Sequence, residues 1–198
     1  MKAAGRKLSS KEVLRRARAL KAVLMDVDGV LTSGILYHFV DTAGGLVELK
    51  GIHAQDSISL TWLADAGLKT GFISGRISQG VAERAKALRV SYVYQHRLDK
   101  LVVFREICKD AGISPEEILY IGDDLPDIPV LKAAGLGVAT ANARPETIAA
   151  AHLATAVPGG QGALREVTEF VLQANGHWPK VLARFDAAGL VDSPRPLR

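Results

Sequence analysis

The chain has 198 residues, 48% hydrophobic and 23% charged, with a net charge of +4; this is the balance of a soluble domain large enough to bury a core. A single cysteine, Cys108, excludes an intramolecular disulfide framework, and no apolar run is long enough to span a bilayer or form a secretory h-region, so a cytoplasmic location without a membrane partner is expected. Basic residues gather toward the two ends (Lys2 to Lys21, then Lys180 to Arg198), but only 6% of the chain is aromatic, so solvated faces rather than a nucleic-acid partner are expected.

Glu12 to Ala19 reads as an amphipathic helix. Ala22–Val27 is then an apolar strand that ends in acid, Asp26-Val27-Asp28-Gly29-Val30-Leu31-Thr32. Residues i and i+2 of a strand point the same way, so Asp26 and Asp28 converge just beyond it. Two like charges there call for a hard divalent cation, Mg²⁺ being the simplest; a solvated Asp-Gly turn is the plain alternative. Gly34 to Gly51 follows as a β-hairpin, Ile35–Val40 and Leu46–Lys50 around Asp41-Thr42-Ala43-Gly44-Gly45. It is apolar on both faces and marginal alone, so it is expected to pack on another subunit.

The rest alternates strands and helices, the pattern of βαβ units around a parallel sheet. Strands are expected at Leu68–Ile73, Ser91–Tyr94, Ile118–Ile121, Gly137–Ala139 and Leu153–Ala156. Helices are expected near Ser57–Ala66, Ser78–Leu88, Lys100–Ala111, Asp127–Ala134 and Pro145–Ala151, and from Gly162 to about Ala174. Ser114-Pro115-Glu116-Glu117 is a capping box with proline at the first helical position. After Gly176 an amphipathic tail can either dock on its own domain or reach a neighbour's site, and Ser193–Arg198 is expected to fray. The fold class is therefore α/β, a Rossmann-like parallel sheet with helices on both faces and a small hairpin flap after the first strand.

Ligands of a parallel sheet bind at the C-terminal strand ends, and here each end carries polar residues. After the first strand come Asp26 and Asp28; after the second, Ser74-Gly75-Arg76. After the third comes Arg97-Leu98-Asp99-Lys100, and after the fourth Gly122-Asp123-Asp124-Leu125-Pro126-Asp127. The carboxylates suit Mg²⁺, while Ser74, the Gly75 amide and Lys100 suit an anion the size of phosphate. That is the equipment of phosphoryl transfer, which is mostly positioning and electrostatics. Taken singly, Ser-Gly-Arg is a helix-start turn, Lys100 a surface lysine and Gly-Asp-Asp a turn; their conjunction at four strand ends carries the inference.

Together these four segments resemble the motifs of the haloacid dehalogenase superfamily of phosphohydrolases, in order and over about residues 20–175. The resemblance implies a single hydrolase domain across residues 1–198, with a flap at about 34–51 and a tail at about 176–198. It makes Asp26 the nucleophile and Asp28 the general acid and base. Asp26, the Asp28 backbone carbonyl and Asp123 would hold Mg²⁺, Ser74 and Lys100 would bind phosphoryl oxygens, and Asp124 and Asp127 would orient the metal waters and Lys100. Only 45 residues separate Asp28 from Ser74 and 22 separate Lys100 from Asp123, too few for a cap domain. The chain is thus similar to the capless, homotetrameric branch, in which neighbouring subunits complete each site.

Within that branch, Gly159-Gly160-Gln161-Gly162-Ala163-Leu164-Arg165-Glu166 resembles the closing segment of enzymes acting on 3-deoxy-D-manno-octulosonate 8-phosphate, a lipopolysaccharide precursor. Arg76 and Arg84 match positions that contact the sugar acid there, and a carboxylate would suit them; a solvated helix face also explains Arg84. His53, Gln55, Asp56 and Ser57 fall in the segment that lines the sugar pocket. Where the family has Asp-Gly-x-Gly-Ile and then a basic residue, this chain has Asp56-Ser57-Ile58-Ser59-Leu60-Thr61, and His96 replaces a usual glycine. A nonulosonate 9-phosphate or another sugar phosphate is therefore an alternative substrate. From a different class, a receiver-like or scaffold protein would keep the acidic cluster without turnover. Against it, the Asp-x-Asp spacing places an acid/base two residues from the nucleophile.

Overall fold

The computed structural model describes residues 1–6 and 8–189; the tail segment Ser193–Arg198 lies outside the described residues. In chain order its elements are β1 (Lys2–Ala3), α1 (Ser10–Ala19), β2 (Ala22–Met25), β3 (Tyr37–Val40), β4 (Leu46–Leu49), α2 (Ala54–Asp65), β5 (Lys69–Ile73), α3 (Gln79–Ala87), β6 (Tyr92–Tyr94), α4 (Lys100–Ala111), β7 (Ile118–Gly122), α5 (Ile128–Ala133), β8 (Leu136–Ala139), α6 (Pro145–Ala150), β9 (Leu153–Ala154), α7 (Ala163–Ala174) and α8 (Trp178–Ala183). One sheet takes the order β1-β9-β8-β7-β2-β5-β6, parallel except for β1, which runs antiparallel to β9.

Side-chain alternation explains why both faces are covered. In β2, Val23 and Met25 join the core cluster that also takes Leu119 and Ile121 of β7, together with residues of α1, α2, α3, α7 and α8. Ala22 and Leu24, with Ile118 and Tyr120, join the opposite cluster, built with α4 and α5. Turn chemistry sets the helix ends: Ser9 accepts from the Glu12 N–H, Asp99 accepts from the Val102 N–H, and Gly112 ends α4 in the left-handed region.

The flap is a two-stranded sheet of its own, with Tyr37 opposite Leu49 and Val40 opposite Leu46, shorter at its ends than the sequence indicates. Several expected boundaries move. α2 begins three residues early, at Ala54, and α5 begins only at Ile128, after a tight turn over Leu125–Asp127. The last parallel strand stops at Ala154. The antiparallel strand β1 went unread because two residues carry no periodicity. The C-terminal segment docks on its own domain: Trp178 and Phe185 lie 5.9 Å from the Trp62 ring, centroid to centroid, and Arg184 pairs with Asp65 at 2.5 Å.

β2 is the first strand of the chain's parallel set, yet it lies inside the sheet. Connections leave it toward β5 and β6 on one side and return to β7, β8 and β9 on the other. The order reverses beside it, so a crevice opens beyond the carboxyl ends of β2 and β7.

Candidate active site

Asp26 follows β2 at that crevice. Its N–H donates to Ile121 O of β7 at 3.0 Å, and its Oδ1 accepts from the Val27 N–H at 2.7 Å. Its Oδ2 lies 3.0 Å from Lys100 Nζ. Lys100, the first residue of α4, is buried, and its ammonium is also 2.7 Å from Asp127 Oδ1. Burial pulls this lysine's pKa down, but the two carboxylates outweigh it and hold the pKa above the ordinary value.

Asp127 is the anchor of the cluster. It is fully buried, and its Oδ1 takes Lys100 and the Tyr120 hydroxyl, each at 2.7 Å. Its Oδ2 takes the backbone N–H groups of Asp123 and Asp124, at 3.0 and 3.2 Å. Tyr120 points to the same face of β7 as the core around α4, which carries its hydroxyl to Asp127. Burial and the Asp127 charge push that phenol well above its usual range, so it remains a donor.

Carboxylate oxygens of Asp26, Asp123 and Asp127 lie within 4.8 Å of one another. Four donors already occupy Asp127, whereas Asp123 Oδ1 is buried with no hydrogen-bond partner among the described residues. Burial foremost, then the charges of Asp26 and Asp127, push Asp123 up to about 7. Burial also raises Asp26 to about 6 despite Lys100. Three crowded carboxylates with one ammonium between them are short of two positive charges, which fits a hard divalent ion held by Asp26 and Asp123, with Asp127 holding Lys100 rather than the metal. Gly29 makes the crowding possible, since at φ 92° a Cβ there would lie 2.0 Å from Asp123 Oδ2.

Asp28 sits two residues on, half-buried, with Oδ2 2.8 Å from Lys50 Nζ and Oδ1 3.4 Å from the Thr32 hydroxyl. Ser74 lies past β5, the parallel neighbour of β2. Its Oγ accepts from the Arg76 N–H at 3.1 Å, and its hydroxyl proton has no protein acceptor among the described residues. Gly75 follows in the same turn. Asp124 bonds the Leu125 N–H at 2.8 Å and so shapes the turn that presents Asp123 and Asp127.

The expected sugar contacts divide. Asp56 is corrected: fully buried, it accepts from the Gly162 and Arg165 N–H groups at 3.0 and 2.7 Å, capping α7 instead of facing a substrate. Ser57 is likewise buried. His53 stands at the start of α2, 3.8 Å from Asp56, and Gln55 is exposed in the first turn. Arg76 pairs with Glu48 of the flap at 2.5 Å, holding that carboxyl down at about 2. Arg84 is exposed on α3. The departures at Ser59 and Thr61 are spent on helix packing: Ser59 bonds Asp56 O and Thr168, and Thr61 bonds Ile58 O.

Sequence reasoning did not single out Lys50, Glu48, Tyr120 or Asn142. Asn142 accepts from the Gly159 N–H at 2.6 Å and donates to Gly29 O at 3.1 Å. It thereby ties the Gly159-Gly160 segment to the loop after β2. At Gly159 a Cβ would fall 1.8 Å from Gly29 O, so backbone packs directly on backbone there. The only signal for these residues was polarity inside or beside apolar strands.

The family model for haloacid dehalogenase-like hydrolases matches residues 87–163. The chain is 36% identical to 3-deoxy-D-manno-octulosonate 8-phosphate phosphatase KdsC of Yersinia pestis over 163 residues, 82% of this chain and 85% of that one. It is 34% identical to the KdsC of Escherichia coli K12 over 84% of this chain and 87% of that protein. Among solved structures it is similar to 3-deoxy-D-manno-octulosonate 8-phosphate phosphatase from Moraxella catarrhalis in complex with magnesium, phosphate and KDO, with a TM-score of 0.83 and 35% identity. That match covers 89% of this chain and 99% of that one.

Proposed function

The chain belongs to the haloacid dehalogenase-like hydrolases, and from that premise we propose that it is a Mg²⁺-dependent phosphomonoester hydrolase acting on 3-deoxy-D-manno-octulosonate 8-phosphate. The observation that carries the chemistry is the cluster at the β2–β7 crevice. There Lys100 bridges Asp26 and Asp127 while a buried oxygen of Asp123 has no hydrogen-bond partner among the described residues.

In the first half-reaction Asp26 Oδ attacks phosphorus, forming an aspartyl-phosphate as the bond from phosphorus to the ester oxygen breaks. Asp28 gives its proton to the departing alkoxide. In the second, Asp28 takes a proton from water as the water oxygen attacks phosphorus, and the bond to Asp26 breaks. Lys100 and Ser74 hold phosphoryl oxygens, and Asp127 with Tyr120 keeps the ammonium in place. Asp26, Asp123 and the Asp28 backbone carbonyl would hold Mg²⁺, which would supply the charge that offsets repulsion between phosphate and nucleophile.

The substrate assignment is supported by the named relatives and by Arg76 and Arg84, which would take the sugar-acid carboxylate. Arg76 can do so by exchanging Glu48 for that group. We further propose that the enzyme works in the cytoplasm as a homotetramer. No helix among the described residues is long and apolar enough to cross a membrane. The flap exposes Ile35, Tyr37, Phe39, Val40, Leu46 and Leu49 together, an apolar surface of the kind that subunit contacts cover.

The test is phosphate release from octulosonate 8-phosphate, nonulosonate 9-phosphates and neutral hexose phosphates, with and without Mg²⁺, alongside the solution mass. Mg²⁺-dependent preference for the octulosonate is expected. Preference for another ester would move the substrate, and no turnover of any ester would refute the phosphatase.

A further inference from the structure

Lys50 is the one element of the flap that reaches the chemistry directly. It follows β4 in a segment stitched to the loop after β2 through the antiparallel bridge between Thr32 and Ile52. Its side chain is only 3% exposed. Removing an ammonium from water to that degree is unfavourable unless it is fully paired, and the pairing is specific. Nζ lies 2.8 Å from Asp28 Oδ2 and 3.4 Å from Glu48 Oε1. Glu48 in turn holds Arg76 and, at 3.2 Å, His38 Nε2. An unbroken line of charges therefore runs from Asp28 through the flap to the arginine proposed for the sugar acid.

We infer that Lys50 is a positioning residue for Asp28, fixing which carboxyl oxygen exchanges protons with the leaving group and with water. An ammonium only donates, so Oδ2 is committed as an acceptor, whereas the Thr32 hydroxyl 3.4 Å from Oδ1 can turn its proton to Val27 O, also at 3.4 Å, and leave Oδ1 to carry the transferable proton. When the ester bond breaks, that Oδ1 proton passes to the alkoxide oxygen, whose electron pair comes from the broken bond. In the hydrolytic half the same oxygen takes the proton of the attacking water. A carboxyl free to rotate would present either oxygen, with or without the proton, and would lose part of the benefit of general acid catalysis.

This inference rests on the phosphatase reading, so the test separates the two. Phenyl and p-nitrophenyl phosphate have nearly the same shape, but only the poorer phenoxide leaving group depends strongly on protonation. Lys50→Met, which keeps the aliphatic stem, is expected to lower kcat/KM for phenyl phosphate about tenfold more than for p-nitrophenyl phosphate, with Lys50→Arg recovering part of the difference. Thermal unfolding checks that the variants fold, and Lys50→Gln replaces Lys50→Met if it does not. Equal losses on both esters would place Lys50 on the phosphoryl group or in the fold and overturn the inference, as would no loss on either. A wild-type enzyme that releases phosphate from neither aryl ester nor octulosonate 8-phosphate with Mg²⁺ would sink the phosphatase reading and this inference with it.

Discussion

Asp127→Asn tests the central claim about the cluster, that one buried carboxylate organises both the lysine and the acidic turn. The amide keeps the volume but replaces one acceptor oxygen with a donor. Whichever way it sits, its NH₂ faces two donors: Lys100 and the Tyr120 hydroxyl on one side, or the Asp123 and Asp124 N–H groups on the other. Two buried donors without acceptors cost about 1–3 kcal/mol each, and Lys100 loses one of its two counter-charges in a buried site. The expected destabilisation is about 3–5 kcal/mol, or a Tm lower by roughly 10 °C for a chain of this size. Urea unfolding in EDTA, followed by fluorescence of Trp62 and Trp178, measures it. A double-mutant cycle with Lys100→Met should show coupling of at least about 1 kcal/mol. A single-variant loss below about 1 kcal/mol, or strict additivity in the cycle, would refute the anchoring role.

Asp26→Asn should leave the fold intact and abolish turnover; more than about a hundredth of the wild-type rate remaining would remove Asp26 as nucleophile. With Asp123 at about 7 and Asp26 at about 6, Mg²⁺ must displace protons, so its affinity should fall steeply as pH drops from about 7 to 5. Calorimetry in two buffers of different ionisation enthalpy at pH 6.5 should detect proton release, and none would contradict the crowding argument. Without metal the sign reverses for stability: the fold holds protons that the unfolded chain releases, so stability should fall as pH rises from about 4 to 7. Gly159→Ala should cost roughly 2–3 kcal/mol and depress kcat, because its methyl would overlap Gly29 O. Gly80→Ala, in open space within α3, should instead gain about 0.5–1 kcal/mol; equal effects at the two sites would show that the contact with Gly29 does not matter.

The parallel sheet and its strand-end clusters were legible because both depend on local pattern. Ala22–Met25 and Ile118–Gly122 are apolar throughout, and each is followed at once by acid. Asp26, Asp123, Lys100 and Asp127 could be assigned together because strand ends in such a sheet converge by topology alone. Asp56 was misread because its environment is made by α7, more than a hundred residues later, and nothing near it in sequence distinguishes a helix cap from a pocket wall. Lys50 was passed over for the same reason: nothing near it in the hairpin sequence distinguishes a buried lysine from one at a solvated strand end. Only the return of Ile52 onto Thr32 turns it inward.

The placement of β2 between β5 and β7 has a consequence for the order of synthesis. Asp26 is made early, yet its N–H is held by Ile121 and its partner lysine by Asp127, about a hundred residues downstream. A growing chain therefore carries the nucleophile long before it carries anything that can use it. Pairings of such long sequence separation form late and slowly. A chain that ends before β7 and Asp127 lacks the crevice, so catalytic competence can appear only once the sheet is completed through β7, and it reports that the chain has folded that far.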